Sequence, residues 1–188
     1  DLTRIEMNEL HYDVVSHYFN VLMRPPQTES LKTILNQLPE SQHMKLVNIR
    51  DKHGMTALHC ASLVGNFHAI KELLAIYPKS EYSQAVNNTQ DKKGRTLLHH
   101  ALRSTSPDFV RFIVRLLPES QYLQTVVMQD TDGQTAFHYA ARSGRHETVL
   151  AFLNSIPELQ RLEVASILDR NGNHAFHCSA HNGNIDLS

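Results

Sequence analysis

The chain has 188 residues, with 18 Lys or Arg against 19 Asp or Glu and a formal net charge of −1 with His neutral. So small a charge gives no whole-molecule attraction to nucleic acid or to a membrane surface, and 41% hydrophobic with 20% charged residues is the composition of a folded domain. Two cysteines, Cys60 and Cys178, are too few for a disulfide framework and point to a reducing compartment. No run approaches the ~18 apolar residues of a membrane span.

In chain order, residues 2–22 predict an amphipathic helix, with Leu2, Ile5, Leu10, Val14, Tyr18 and Leu22 spaced for one face. Leu31, Ile34, Leu35 and Leu38 predict a second helix. No turn motif precedes either, and residues 1–50 are expected to cap the first face of a repeat array. From residue 51 the chain repeats itself. Asp51-Lys-His-Gly-Met-Thr-Ala-Leu-His59 recurs as Asp91–His99, Asp130–His138 and Asp169–His177, at steps of 40, 39 and 39 residues between the positions 51, 91, 130 and 169. Leu38-Pro39, Tyr77-Pro78, Leu117-Pro118 and Ile156-Pro157 keep the same step. Two marks at one period define units at 51–90, 91–129 and 130–168 and a truncated one at 169–188.

Each unit opens with Asp-x-x-Gly, which is turn chemistry. A Thr then caps a short first helix, whose apolar face in the first unit includes Ala57, Leu58 and Ala61. Gly65, Gly144 and Gly183 are placed to end that helix. A second helix comes next, apolar at Ile70, Leu73, Leu74 and Tyr77, at Val110, Ile113, Val114 and Leu117, and at Val149, Phe152, Leu153 and Ile156. That i, i+3, i+4, i+7 pattern is one helix face, and each such helix stops before its Pro. Beyond the Pro, residues 40–50, 79–90, 119–129 and 158–168 keep spaced apolar positions (Met44 and Val47, Leu123 and Val126, Leu162 and Ala165). They predict a third helical turn along the outer edge.

The segment Gly54-Met-Thr-Ala-Leu-His-Cys-Ala61 and its three further copies resemble the ankyrin family's Thr-Pro-Leu-His-x-Ala motif. The resemblance covers 51–188 and implies an all-α ankyrin-repeat solenoid with short β-hairpin turns and an N-terminal helical cap. It also implies a protein–protein interaction module with no catalysis of its own. The departures are a period of 39–40 rather than ~33 residues, His174 in place of the capping Thr, and Thr105 in place of the helix-ending Gly. Lengthened units punctuated by Leu-Pro-Glu-Ser-Gln (38–42 and 117–121) are similar in style to effectors of intracellular bacteria such as Legionella. That likeness implies a targeting module working in a host cytosol. The chain begins at Asp1 and breaks off at Asn184–Ser188, where a second helix only begins, so a longer natural protein is expected.

Thirteen histidines invite a catalytic or metal reading. Four of them, His59, His99, His138 and His177, hold the family's motif position, which implies a structural hydrogen-bonding group joining neighbouring units. Cys60 and Cys178 each follow such a His and are expected as small buried hydrophobes. Three repeats apart at ~10 Å per layer, they cannot reach the ~7 Å limit of a disulfide. The rival site is His174, His177, Cys178 and His181, four potential zinc ligands on one helical stripe; against it, two of the four are already assigned to the repeat. No metal, cofactor or phosphate loop is expected.

Function then rests on the surface. Ankyrin partners are gripped by turn tips and the exposed side of the first helices. Carried over position by position, that face comprises Lys52, His53, Met55, Leu63 and Val64 in the first unit and Lys92, Lys93, Arg95, Arg103 and Ser104 in the second. The third unit adds Thr131, Asp132, Gln134, Arg142 and Ser143, and the last adds Arg170, Asn171, Asn173, His181 and Asn182. Seven Lys or Arg against one Asp give this face +6, leaving −7 for the remaining chain and −1 in total. Charge complementarity favours an acidic protein partner, met by the fragment as a monomer. With no Phe, Tyr or Trp on the face, the stacking platform of a single-strand binder is missing. Met55, Leu63 and Val64 are the clustered apolar candidates for an anchor, or else they pack against the cap.

Overall fold

The computed structural model describes residues 20, 31–36, 38–87, 89–104, 106–117 and 119–181. Within that span the architecture is a stack of short helices. They are α1 (Leu31–Leu35), α2 (Glu40–Asn48), α3 (Ala57–Val64), α4 (Phe67–Leu74), α5 (Tyr82–Asn87) and α6 (Leu97–Ser104). After these come α7 (Pro107–Arg115), α8 (Tyr122–Val126), α9 (Ala136–Ser143), α10 (His146–Ser155), α11 (Glu158–Ala165) and α12 (Ala175–His181). Single 3-10 turns at Lys79–Glu81 and Glu119–Gln121 lead into α5 and α8. The expected helix over 2–22 lies outside the described residues, apart from residue 20.

The first helices α3, α6, α9 and α12 pack side by side as one row. Behind them, α10 packs on α7 and α4 on α1. Local chemistry explains where each helix starts and stops. Thr56 and Thr135 cap α3 and α9, and Gly65 (φ 73°) and Gly144 (φ 67°) end them in the left-handed conformation. Asn66 accepts the Ala69 N–H at 3.0 Å and Ser106 the Phe109 N–H at 3.3 Å, capping α4 and α7. The prolines do more than end the second helix: Pro39 and Pro157 are the N-caps of α2 and α11. The third helical segment of each unit therefore starts where the second stops.

The core follows the apolar faces named from sequence. Ala57, Leu58, Ala61, Ile70, Leu73, Val110, Ile113, Val149 and Phe152 are all buried. Phe109, Phe137 and Phe152 are its largest wholly buried side chains. Phe67 binds α4 to α7 through ring contacts with Phe109 and Phe112, at centroid distances of 4.9 and 5.3 Å. Along the outer edge Val47, Val86, Val126 and Val164 are buried, while Met44 and Leu123 pack partly against the core. Leu162 departs from expectation. It stands 79% exposed, and Val164 fills the core from α11 instead.

The segments expected as short β-hairpins fold as turns. Among the described residues there is no strand, only one isolated antiparallel bridge between Gln129 and Thr135. The reason is visible in the bonds each turn makes. Asp51, Asp91, Asp130 and Asp169 each place Oδ1 on the N–H groups two and four residues ahead, at 2.8–3.0 Å. A side chain thus uses donors that a strand ladder would need. Successive turns are then tied tip to tip: Lys92 N–H donates to His53 C=O at 3.0 Å, Thr131 N–H to Lys93 C=O at 2.8 Å, and Arg170 N–H to Asp132 C=O at 3.0 Å. This chain of bonds sets the spacing of everything displayed on the turn tips.

Candidate functional site

The motif histidines hold the turns to the helices. In each of the first three units the Thr N–H donates to the imidazole Nδ1 at 3.1–3.2 Å, which fixes Nδ1 as an acceptor and leaves the proton on Nε2. That proton reaches into the next turn: His59 donates to Thr89 C=O at 3.1 Å, His99 to Gln134 C=O at 3.0 Å and His138 to Asn173 C=O at 3.1 Å. Burial pushes His59 and His99 down to about 4, with Thr89 and Gln134 respectively pulling back. His138 is lowered as well, chiefly by burial. With both nitrogens engaged by backbone groups and the rings buried, these imidazoles act as ties between units.

The second oxygen of each turn Asp carries the variation between units. Asp91 Oδ2 receives both Arg95 Nε and Arg95 Nη2 at 2.7 Å and lies 3.1 Å from His100 Nε2. Burial opposes the Asp91 charge most strongly, but hydrogen bonds from His100, from Arg95 and from two backbone N–H groups outweigh it, holding its carboxyl well below the ordinary range. His100 is itself lowered by burial, against the pull of Asp91. In the third unit Tyr139 Oη donates to Asp130 Oδ2 at 2.7 Å, and burial followed by this bond raises the phenol to about 12. Asp169 Oδ2 meets Gln134 Nε2 at 3.4 Å.

Above these carboxylates lies an open cleft of about 430 Å³, lined by Lys93, Arg95, Arg103, Asp132, Gln134, Tyr139, Arg142 and Ser143. Of these, all but Tyr139 belong to the face singled out from sequence. A smaller cleft of about 280 Å³ adjoins it, sharing Gln134 and Arg142 and adding Asp169, Asn171, Asn173, His177 and Cys178. Arg142 lies over the Tyr139 ring, 5.6 Å from its centroid, and reaches Cys178 Sγ at 3.9 Å.

The other expected positions fall into three groups. Lys52, His53, Lys92, Lys93, Arg103, Arg142 and Arg170 are exposed; Lys92 Nζ also donates to Lys52 C=O at 2.7 Å. Met55, Arg95 and Gln134 do not stand out from the surface as expected. Each follows the turn Gly and bends inward: Met55 packs partly on the core, Arg95 keeps only 14% of its side chain exposed against Asp91, and Gln134 is 8% exposed. Of the apolar trio, Leu63 is half-buried and Val64 is 41% exposed, while the side chain of His181 lies outside the described residues.

That also bears on the cluster at 174–181. His177 Nδ1 accepts the His174 N–H at 3.0 Å, and the two rings stack at 5.4 Å. Among the described residues no group of three or more His, Cys, Asp or Glu stands close enough to hold a metal ion. Cys60 is buried, and desolvation pushes its thiol up to about 12. Among the described residues no helix is long and apolar enough to cross a membrane. What sequence reasoning missed is the inward bend after the turn Gly and the partner of each Asp Oδ2. For Asp91 and Asp130 the signal available for the second was the residue after the motif His, His100 and Tyr139, whereas Asp169 meets Gln134 of the preceding unit.

A family model for ankyrin repeats in three copies matches residues 26–124, and one for a single ankyrin repeat matches residues 132–160. The first match begins inside the segment assigned from sequence to the N-terminal cap. No curated protein matches the chain. Ankyrin repeats are non-catalytic modules that bind other proteins. The matches span more than half of the chain and fall on the stacked helices described above, so this chain belongs to the ankyrin-repeat family.

Proposed function

We propose that the chain binds an acidic partner protein through the concave side of the stack, made of the turn tips and the exposed side of the first helices. The observation that carries this is the cleft in which Lys93, Arg95, Arg103 and Arg142, from two successive units, act on one volume of space. Lys52, Lys92 and Arg170 extend the same sign along the turn tips on either side. Exposed charges of this kind mainly steer encounter and set salt dependence. Val64 and Leu63, at the first-unit end of the face, supply the apolar anchor that affinity needs.

The proposal extends to the rest of the chain. Residues 1–50 serve as the N-terminal cap of units at 51–90, 91–129, 130–168 and 169–188, and the fragment is a monomer. The long period and the Leu-Pro-Glu-Ser-Gln punctuation support a targeting role in a larger bacterial effector acting in a host cytosol.

The test is a pull-down from cell lysate at rising salt, comparing wild type with a Lys93→Glu/Arg103→Glu variant whose circular dichroism is unchanged. Partners captured by wild type and lost by the variant, with a weaker salt dependence in what remains, are the expected result. A folded variant that keeps every partner with the same salt dependence refutes the basic face as the binding surface.

A further inference from the structure

The cleft between the second and third units has a composition that narrows its occupant. Its walls carry four cations, Lys93, Arg95, Arg103 and Arg142, and one anion, Asp132. Asp91 sits directly under Arg95, bonded to it at 2.7 Å. On the wall itself the formal charge is four positive against one negative, or +3, while Asp91, Asp130 and Asp169 lie beneath it, bonded to Arg95, Tyr139 and Gln134.

The neutral donors of the wall are already directed elsewhere. Tyr139 Oη donates to Asp130 at 2.7 Å, Ser143 Oγ to Ala140 C=O at 2.7 Å, and Gln134 Nε2 to Asp169 at 3.4 Å. A neutral polar side chain entering the cleft would therefore displace water from cations and meet few donors suited to it. An apolar one would meet no aliphatic wall, and the one aromatic ring is covered by the Arg142 guanidinium at 5.6 Å. The cleft is built for an anion.

The size of the charge separates the possible anions. A carboxylate brings −1 and leaves the cleft cationic. A phosphomonoester brings about −1.5 to −2 near neutral pH together with three strong acceptor oxygens, and guanidinium forks match such oxygens in pairs. A volume of about 430 Å³ lies within the size range of small-ligand sites.

We propose that this cleft is a receptor for a phosphorylated side chain of the partner protein, gripped between Arg103 and Arg142 with Lys93 at the rim. The proposal rests on the concave-face reading above and names the chemistry of its central contact. Arg95 acts from below as a positioning residue, its charge shared with Asp91.

The experiment uses three five-residue peptides with capped termini and alanine flanks, carrying phosphoserine, glutamate or serine at the centre. Each is titrated into the 188-residue chain in low salt and followed by NMR at the backbone amides of Lys93, Asp132 and Arg142 and at the arginine Nε–H signals. The phosphoserine peptide should bind saturably, the glutamate peptide at least about tenfold more weakly, and the serine peptide not measurably. Arg103→Gln and Arg142→Gln, both at exposed positions, should each weaken the phosphopeptide about tenfold, while the remote Lys79→Gln leaves it unchanged.

Equal affinity for glutamate and phosphoserine overturns the phosphate assignment but leaves the acidic-partner reading standing. No binding by either peptide, or full binding by both Arg variants, overturns the cleft as a receptor. The lysate experiment then decides separately whether the wider face binds anything. Co-sedimentation with phosphatidylserine vesicles, lost in the same variants while the phosphopeptide fails to bind, would assign the cleft to a membrane instead and end the proposal.

Discussion

Acidification from pH 7 to pH 5 should destabilise the stack through the histidines that join its units. His59 and His99 are wholly buried and held neutral with pKa values of about 4 each, against about 6.5 in an unfolded chain. Because the folded pKa is depressed, the unfolded state takes up protons first as pH falls. Stability is full above about pH 6.5 and is lost progressively down to about pH 4. At pH 5 the linkage is worth about 2 kcal/mol for each ring, or roughly 4 kcal/mol for the two. His100 and His138, also lowered, act in the same direction. Asp91 has its carboxyl held low, so its contribution is intact at pH 5 and lost only below the ordinary carboxylate range.

Against a total stability of ~5–15 kcal/mol, such a loss is large. With an m value near 2 kcal/mol/M, the urea midpoint should fall by about 2 M between pH 7 and pH 5. His99→Gln removes one of these titrating rings, so it should lower stability at pH 7 yet shrink the pH-dependent loss by about 2 kcal/mol. A wild-type midpoint that moves less than about 0.5 M across this range would refute the reasoning. So would a loss of the same size in the variant.

Two further comparisons test the frame itself. Gly133 has φ 76°, and a Cβ placed there would lie 2.8 Å from the Arg170 backbone N, whereas Gly172 has φ 77° with nothing within 4 Å. Gly172→Ala should lose about 1–2 kcal/mol from the left-handed conformation alone, and Gly133→Ala clearly more; equal losses by urea unfolding would show that the turn tips are not tightly coupled. Phe152→Ala should cost about 3–5 kcal/mol, while Leu159→Ala, at a position 97% exposed, should stay within about 0.5 kcal/mol. A Leu159→Ala loss near that of Phe152→Ala would mean that α11 packs otherwise than described.

The helices were legible because they answer to local chemistry and to one apolar face. The Thr caps, the Gly stops at 65 and 144 and the 3.6-residue spacing on α4, α7 and α10 all act within a few residues of chain. Leu162 was misplaced for a related reason. Its spacing matched Leu123 in the unit before, but only packing decides which apolar residue of α11 faces inward, and Val164 does. The turns read as hairpins because Asp-x-x-Gly fits both. The difference lies in whether backbone donors go to a partner strand or to the Asp carboxylate, and sequence spacing does not distinguish those.

The candidate site was legible as a set of positions but not as a set of exposures, and the residue after the turn Gly shows why. Met55, Arg95 and Gln134 occupy it in successive units and share no chemistry, yet all three bend inward. The cause is the Asp four residues earlier, whose Oδ1 accepts the backbone N–H of that residue at 2.8–3.0 Å and so fixes the start of the side chain beside the helix. What the side chain then meets depends on its type: core for Met55, the unit's own Asp91 for Arg95, the next unit's Asp169 for Gln134. This position therefore belongs to the scaffold. It also determines how much charge reaches the surface. In the second unit Arg95 is largely consumed by Asp91, so the attraction for a ligand falls to Lys93, Arg103 and Arg142, which reach the cleft from turn tip and helix. A partner that reads this array reads those three positions, and the recurring Asp and His keep them at one spacing.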